Sequence, residues 1–509
     1  METVWAVVAV VAGVVLRGWL LVLPTGAFDS DEAVPGLIAR HALYDRELSV
    51  FYWGQAYGGT LEPLLSVPLF ALFGPRIAAI KAVPLVLSGV SALLIWRLGR
   101  RTVGNRPAVL AAAAFFSWPA NYLWLSTKER GFYWVCMALG LGLLLCALRI
   151  CDDPRRRRLW LLFGLLGGLG VWTSPHILFF AVPATVYLLA RVGRDGWRLV
   201  LAVPAGLVGG LPWLAFNLRN QFASFDRPPF TYDLGYLGNT RVLFTRGLPV
   251  ALGLHAGESW LDPAAVMKVL AVALGLLAVL GLLAVAGVVP AARPLRRAAL
   301  SHGWLLALFC LTYAVLWGIY PISGIVGEGR YVMFLLPALA LLIAHGTLNS
   351  RPRHDQGRRG MAAGTALLAG AITLSVLGVL RIAHATAPPA PDVAMPQHAG
   401  PLVDFLERRG LDRVYANYWI AYRVAFESEE RVIATPADAS ARYQPYLEAL
   451  RRADAPAYVF PAESQQVLRF EAGLATMAVR YERWQVDGFI VLRPETRVEW
   501  DQVLARAAG

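Results

Sequence analysis

Apolar runs of about twenty residues, separated by short segments rich in Arg, Gly and Pro, fill the first three quarters of this chain. An α-helix rises about 1.5 Å per residue, so a run of that length matches the hydrocarbon layer of a bilayer. Eleven runs qualify as spanning helices: 4–23, 77–97, 107–126, 131–150, 158–174, 175–191, 198–216, 264–289, 300–319, 331–348 and 361–383. The first lacks the basic start and small-residue cleavage pattern of a signal peptide, and Arg17 lies inside it, so it is expected to be retained. Between the first two runs, 31–44 and 60–73 have helical spacing with one apolar face but are too short or too charged to span. They are expected to lie along the membrane interface.

The pattern changes after Ala387-Pro388-Pro389-Ala390-Pro391, a linker leaving the last span. Short β-rich runs at 413–418, 431–435, 457–460 and 488–492 alternate with helical spacing at 401–409, 443–452 and 462–472. The alternation predicts a small α/β unit with a partly parallel sheet. The expected organisation is an α-helical polytopic membrane domain over 1–384, with about eleven transmembrane helices, and a soluble α/β domain over 385–509. No Gly-rich phosphate loop accompanies the tail, so a nucleotide site has no support there.

Composition agrees: 57% of residues are hydrophobic and 16% charged, against about a quarter charged in soluble proteins. The net charge of +13 is unevenly spread. From 385 onward there are 17 acids against 14 arginines, a net of −3, so the preceding part carries +16. Its excess sits in loops: Arg97, Arg100, Arg101 and Arg106; Arg155 to Arg158; Arg191, Arg194 and Arg198; Arg293, Arg296 and Arg297; Arg351, Arg353, Arg358 and Arg359. These clusters fall in every second loop, which is a topology signal and not a nucleic-acid surface. They place the N-terminus in the cytoplasm and the tail outside, with two long outer segments at 24–76 and 217–263. Arginine outnumbers lysine 44 to 3, the bias of a high-GC bacterial gene, and the expected location is a bacterial cytoplasmic membrane. Cys136, Cys146, Cys151 and Cys310 lie in or beside apolar runs and read as structural thiols.

The densest polar group in the apolar part is Asp29-Ser30-Asp31-Glu32, directly outside the first span. Arg40, His41, Asp45, Arg46 and Glu47 follow, then Phe51-Tyr52-Trp53-Gly54-Gln55-Ala56-Tyr57, then Glu62. Acids in such a place cap a helix as readily as they serve chemistry, and aromatics gather at membrane interfaces in any case. Other outer segments bring further ionisable groups to the same face: Lys128, Glu129 and Arg130 after the third span, His176 after the fifth, and Glu328, Arg330 and Tyr331 before the tenth. Charges at membrane depth are costly and tend to mark function, although Lys and Arg also snorkel to the interface without one. A carboxylate here suits proton abstraction from a hydroxyl, and Lys128, Arg130 or Arg330 suits a phosphate. With those cations a divalent metal at Asp29 and Asp31 is not required, and no cofactor is expected.

The order of these parts, together with Asp31-Glu32 in DSDEAVPGLIARHAL, FYWGQAYGGTLEPLLSVPLFALFG and RYVMFLLPALALLIAHG, resembles the C-type membrane glycosyltransferases. Within them it is similar to bacterial relatives of the protein O-mannosyltransferases and to the lipid A aminoarabinose transferase. The resemblance covers the membrane part. It implies an inverting transferase that takes a sugar from a polyprenyl-phosphate donor and passes it to an extracytoplasmic protein, lipid or envelope glycan, among membrane lipids and without nucleic acid. It places the base at Asp31, with Glu32 and Asp29 beside it, and the phosphate ligands at Lys128, Arg130 and Arg330. Trp53, Gln55, Tyr57, Glu62, His176, Glu328 and Tyr331 are then the expected substrate contacts. Where many relatives carry Lys-Pro-Pro, this chain has Gly58-Gly59-Thr60-Leu61-Glu62-Pro63, a departure that bears on the acceptor. The alternative is a transporter or flippase of a lipid-linked sugar. The chain has no internal repeat, and its charges gather at the outer boundary and not at the midplane, which disfavours transport.

Overall fold

The computed structural model describes residues 1–226, 233–256, 259–287, 302–320, 329–349, 358–383 and 398–507. The first helix, α1 (Glu2–Val22), is followed by α2 (Ser30–Tyr44), α3 (Leu61–Leu64), α4 (Val67–Phe73) and the long α5 (Ile77–Thr102). α6 (Asn105–Ser117) and α7 (Ala120–Leu125) occupy the expected third span, interrupted at Pro119, which has no N–H to continue the ladder. α8 (Tyr133–Asp152), α9 (Arg157–Thr173), α10 (Leu178–Val192), α11 (Ala202–Gly209) and α12 (Leu211–Arg219) follow. Next come α13 (Gly235–Val242), α14 (Leu248–Ala251) and a hairpin of β1 (His255–Ala256) and β2 (Ser259–Trp260). α15 (Ala264–Val285), α16 (Trp304–Ile319), α17 (Leu336–Asn349) and α18 (Arg358–Ile382) complete the membrane part.

Among the described residues, each of the eleven expected runs falls mainly on helix. Six stretches among the described residues are long and apolar enough to cross a membrane, one of them running through two expected spans at 175–209. The protein is a multi-pass membrane protein. α1 shows how its surface is made: Val4, Val7, Val8, Val11, Val14 and Val15 are exposed along one side, while Trp5, Ala9, Leu16 and Leu20 are buried on the other. An exposed valine stripe is stable only against lipid. Between α9 and α11, a Cβ on Gly164 would fall 1.9 Å from the Ala202 carbonyl oxygen, so only glycine lets these backbones meet. Arg17 is buried in α1 without an acid. Its guanidinium donates to Ser126 Oγ (2.8 Å) and to the carbonyls of Gly13 (3.0 Å) and Phe116 (2.8 Å), the last freed where α6 stops.

The tail begins with α19 (Gly400–Arg408) and alternates β3 (Arg413–Ala416), α20 (Tyr418–Glu427), β4 (Ile433–Thr435), α21 (Gln444–Arg451), β5 (Ala457–Pro461) and α22 (Gln465–Thr476). The hairpin β6 (Tyr481–Val486) and β7 (Phe489–Pro494) and a last helix, α23 (Trp500–Ala507), close it. The sheet order is β4-β3-β5-β7-β6, parallel across β4, β3 and β5 and antiparallel from β5 to β6. The partly parallel sheet matches the sequence expectation. β6 escaped it because this edge strand is mostly polar and half exposed. α20 escaped it because Tyr418 and Trp419 favour strand locally, whereas Asn417 Oδ1 caps the helix by accepting from Ile420 N (3.1 Å).

The 31–44 helix is covered on both sides: Ala33, Val34, Leu37, Ile38 and Ala39 are all buried, because α20 covers the side that α5 does not. A Cβ on Gly36 would meet Ile80 on one side and Phe426 on the other, at 2.5 and 2.7 Å. Phe28 and Phe426 pack at 5.3 Å between ring centroids, and Trp53 stacks on Tyr443 at 4.0 Å. Tyr422, Ala425, Phe426 and Tyr446 thereby belong to the same apolar core as the membrane helices.

A charged clamp borders this contact. Glu430 accepts from Arg40 and Tyr446 and from His41 Nε2 (2.7 Å), while His41 Nδ1 lies 3.2 Å from Glu47. Burial opposes a charge on His41, but Glu430 and Glu47 outweigh it and raise its pKa above 6.5. Burial also opposes Glu430 ionisation, and His41, Tyr446 and Arg40 lower its pKa below 4.5 all the same. The stabilisation from His41 is therefore complete below pH 6.5 and fades as pH rises through its raised value; that from Glu430 fades as pH falls below 4.5. The variant Glu430→Gln should melt at lower temperature than the parent at pH 5–6, by about 1–2 kcal/mol, and the difference should shrink above pH 7. Thermal unfolding of the detergent-solubilised chain across pH checks this; a constant difference would contradict it.

Candidate functional site

The site forms where the C-terminal end of α1, the N-terminus of α2, the start of α5 and the 126–132 turn meet. Asp29 is the N-cap of α2, its Oδ1 accepting from the backbone N–H of Asp31 (3.0 Å) and Glu32 (3.3 Å). Arg130 clamps the same carboxylate in a fork, Nη1 to Oδ1 at 2.9 Å and Nη2 to Oδ2 at 3.0 Å. Lys128 Nζ lies 3.1 Å from Asp29 Oδ2 and 2.9 Å from Glu32 Oε2, and donates also to the Ala27 carbonyl. Lys81 Nζ takes the other Glu32 oxygen at 2.7 Å, with the carbonyls of Gly26 and Thr127 at 3.2 Å each. Burial opposes the charge on Asp29, yet Arg130, then Lys128 and Lys81, hold its carboxyl far below the usual carboxylate range. Burial likewise opposes the charge on Arg130, and Asp29 and Asp31 hold its pKa above the ordinary value.

This arrangement sorts the three acids. Asp29 and Glu32 are buried and saturated by cations and N–H groups. Asp31 is not: its side chain is 20% exposed, against 2% and 0% for the other two. Asp31 Oδ2 pairs with Arg130 Nη1 at 3.0 Å, and its Oδ1 accepts from Tyr418 of α20 at 2.6 Å. The two expected phosphate ligands at 128 and 130 are also sorted. Lys128 is completely buried, and its three protons are met by Ala27, Asp29 and Glu32, so the structure places it as the centre of the cluster with no N–H directed outward. Lys81 and Tyr418 carry no motif in sequence. The signal for Lys81 was a lysine inside an expected span; for Tyr418 there was none.

Glu62 lies apart from this cluster. It is fully buried, its Oε2 accepts from Val135 N (2.8 Å) at the start of α8, and its other oxygen faces Glu129. Tyr52 donates to Glu129 Oε1 at 3.4 Å. Burial pushes both carboxyls up, and Glu62 pushes Glu129 further, so both lean toward the protonated form. With Oε2, Glu62 caps the start of α8. Raised carboxyl values mean the folded state binds more protons than the unfolded, so stability falls as pH rises above about 4.5. The variant Glu62→Gln, whose amide stays neutral at every pH, should be as stable as the parent at pH 5 and more stable at pH 8. Glu62→Ala should lose about 1–3 kcal/mol at both, by leaving Val135 N–H unpaired. Melting curves at the two pH values decide it.

Of the remaining expected contacts, Tyr57 is half-buried and senses the charges of Arg442 and Arg330 and the nearby Tyr331, burial raising its pKa above 10. Arg330 lies over the Tyr331 ring at 5.9 Å and close enough to Arg130 to oppose its charge. Of these, Arg442 reaches Asp31, its Nη2 lying 3.8 Å from Oδ1. Tyr443 covers the face of Trp53, and Ser49 accepts from its Nε1 (3.1 Å). Gln55 is partly exposed, and its backbone N–H closes a turn on Tyr52. His176 is buried among Phe132, Tyr331 and Phe334, with Nδ1 2.7 Å from Ser174 Oγ and Nε2 2.9 Å from Tyr320 Oη. Both its nitrogens are used, so it orders an aromatic wall. Glu328 lies outside the described residues.

A family model described as dolichyl-phosphate-mannose-protein mannosyltransferase matches residues 64–216. No curated protein matches the chain by sequence. In structure the chain is similar to ArnT from Cupriavidus metallidurans in the apo state, with a TM-score of 0.61 at 12% identity over 99% of each chain. It is similar also to that protein bound to undecaprenyl phosphate, with a TM-score of 0.60 at 14% identity over 97% of this chain and 98% of the other. The Archaeoglobus fulgidus oligosaccharyltransferase complex with Zn and sulfate matches with a TM-score of 0.51 at 13% identity, over 94% of this chain and 73% of that one. Identities this low speak for the fold alone, which this chain shares with these solved structures over nearly its whole length.

Proposed function

We propose that this chain, built on the C-type glycosyltransferase fold, is an inverting glycosyltransferase that moves a sugar from a polyprenyl-phosphate donor to a hydroxyl of an extracytoplasmic acceptor. The observation that carries the reading is the sorting of the acids: in a cluster of buried, saturated charges, Asp31 alone of the three is ion-paired and still partly exposed. A base needs that combination, since a carboxylate held in place by Arg130 and partly exposed can be reached by a hydroxyl. The acceptor oxygen would attack the anomeric carbon as the bond to the carrier phosphate breaks, and its proton would pass to Asp31. Polyprenyl phosphate leaves with added negative charge, which Arg130 and Arg330 are placed to stabilise in a site with little water. Asp29 is already neutralised by Arg130 and Lys128, so this chemistry calls for no metal.

The test is transfer by the full chain in proteoliposomes, with polyprenyl-phosphate donors carrying radiolabelled sugars and an envelope extract as acceptor. Label should move to the acceptor with release of polyprenyl phosphate. Label that crosses the bilayer without leaving its carrier would instead favour the flippase. The orientation belongs to the same proposal, with the N-terminus cytoplasmic and the tail on the extracytoplasmic face of a bacterial cytoplasmic membrane. A reporter fused after Gly509 should be active only in its extracytoplasmic form; cytoplasmic activity would place Asp31 on the wrong side.

A further inference from the structure

The open side of Asp31 is shared with the soluble tail. Tyr418, the first residue of α20, donates its hydroxyl to Asp31 Oδ1 at 2.6 Å across 387 residues of sequence. Arg442, ahead of α21, lies over the Tyr418 ring at 4.6 Å, with Nη2 3.8 Å from the same Asp31 oxygen. The backbone of Arg442 is held from both sides. Its N–H donates to Tyr422 Oη (2.5 Å), and its Cα would lie 3.0 Å from a Cβ on Gly54, so the 51–59 loop of the membrane part fits against it only because residue 54 is glycine. That glycine has φ +71°, a second reason for its identity. Ser30, the neighbour of Asp31, accepts from Arg423 N (3.3 Å) and fixes α20 in register. The contact between Tyr418 and Asp31 is thus held by an interface on every side.

We propose that the tail domain is a working part of the transfer site, in which Tyr418 is a positioning residue that fixes the Asp31 carboxylate and tunes its basicity, and Arg442 holds Tyr418 in place. The proposal rests on the transferase reading for its catalytic meaning. The groups facing Asp31 are Asp29 on its own element, Arg130 on the 126–132 turn, with Arg330 beside Arg130, and Tyr418 and Arg442 on the tail. Of these, Tyr418 is the neutral donor. Removing its hydroxyl withdraws a hydrogen bond that favours the ionised carboxylate and leaves the ring, the interface and every charge unchanged.

The experiment uses the full chain and the variants Tyr418→Phe, Arg442→Gln and Asp31→Asn. Two quantities are read: the pH dependence of kcat/KM for sugar transfer, and the carboxylate band of Asp31 in infrared spectra of ¹³C-aspartate-labelled protein, identified as the band lost in Asp31→Asn. In Tyr418→Phe the acid limb of kcat/KM should move up by roughly one pH unit, a tenfold loss below the limb, with the plateau unchanged within about threefold. The midpoint of the Asp31 band should move by the same amount. Arg442→Gln should shift both in the same direction by more, since it removes a charge near Asp31 as well as the packing on Tyr418. A uniform fall in rate at all pH values with a fixed band would make Tyr418 merely structural and overturn the proposal. If the parent transfers no sugar and the band still moves, the contact stands but the transferase reading and the catalytic role assigned to Tyr418 fall together.

Discussion

Asp31→Asn should reduce sugar transfer by a factor of 10² to 10⁴ with little change in folding, the range expected when a positioned general base is lost. The substitution is nearly isosteric. An amide oxygen still accepts from Tyr418, and Arg130 keeps its fork on Asp29, so the ion cluster below position 31 is unaltered. What disappears is the ability to take a proton. Initial rates with a labelled polyprenyl-phosphate donor, beside a melting curve, separate the two effects. A variant that melts like the parent and transfers at the parental rate would remove Asp31 from the mechanism. Asp29→Asn is the contrast: its carboxylate is the partner of Arg130 and Lys128 and the cap of α2, so it should lose stability before activity can be read.

The largest effect on stability should come from Lys128→Met, at about 3–5 kcal/mol, the cost of breaking a buried ion pair by removing one partner. Lys128 has no exposed surface and is the cation common to Asp29 and Glu32. Without it two buried carboxylates share Arg130 and Lys81 alone, and a loss of that size is a large part of what keeps a typical domain folded. The double variant Lys128→Met/Glu32→Gln should recover part of the loss, since the unpaired charge leaves with its partner. Size-exclusion profiles and unfolding midpoints of the solubilised chain measure this. If Lys128→Met folds normally and instead loses affinity for undecaprenyl phosphate, Lys128 is a phosphate ligand after all.

These two residues show what differs between reading the chain and seeing it folded. Asp31 stands out in the sequence because a short acidic motif after the first span is local. Lys128 was legible as an anomaly, a rare lysine on the outer side, but its role was not. A cation near a phosphate site and a cation inside a salt-bridge cluster look alike until the 99 residues between it and Asp29 are closed up. The same holds for Trp53 and His176, whose aromatic settings suit a sugar equally well; packing by Tyr443 and Phe334 is what uses them up.

The apolar runs and the α/β alternation of the tail were set by the sequence alone, because helix length against a bilayer and strand or helix periodicity are local quantities, fixed within twenty residues or so. The ordering of the acids, the keystone position of Lys128, the burial of Glu62 beside Glu129, and the approach of Tyr418 to Asp31 were decided only by the tertiary structure. Each depends on how much water and which opposite charge a side chain meets, and those are properties of segments up to 387 residues apart brought into one dry interface.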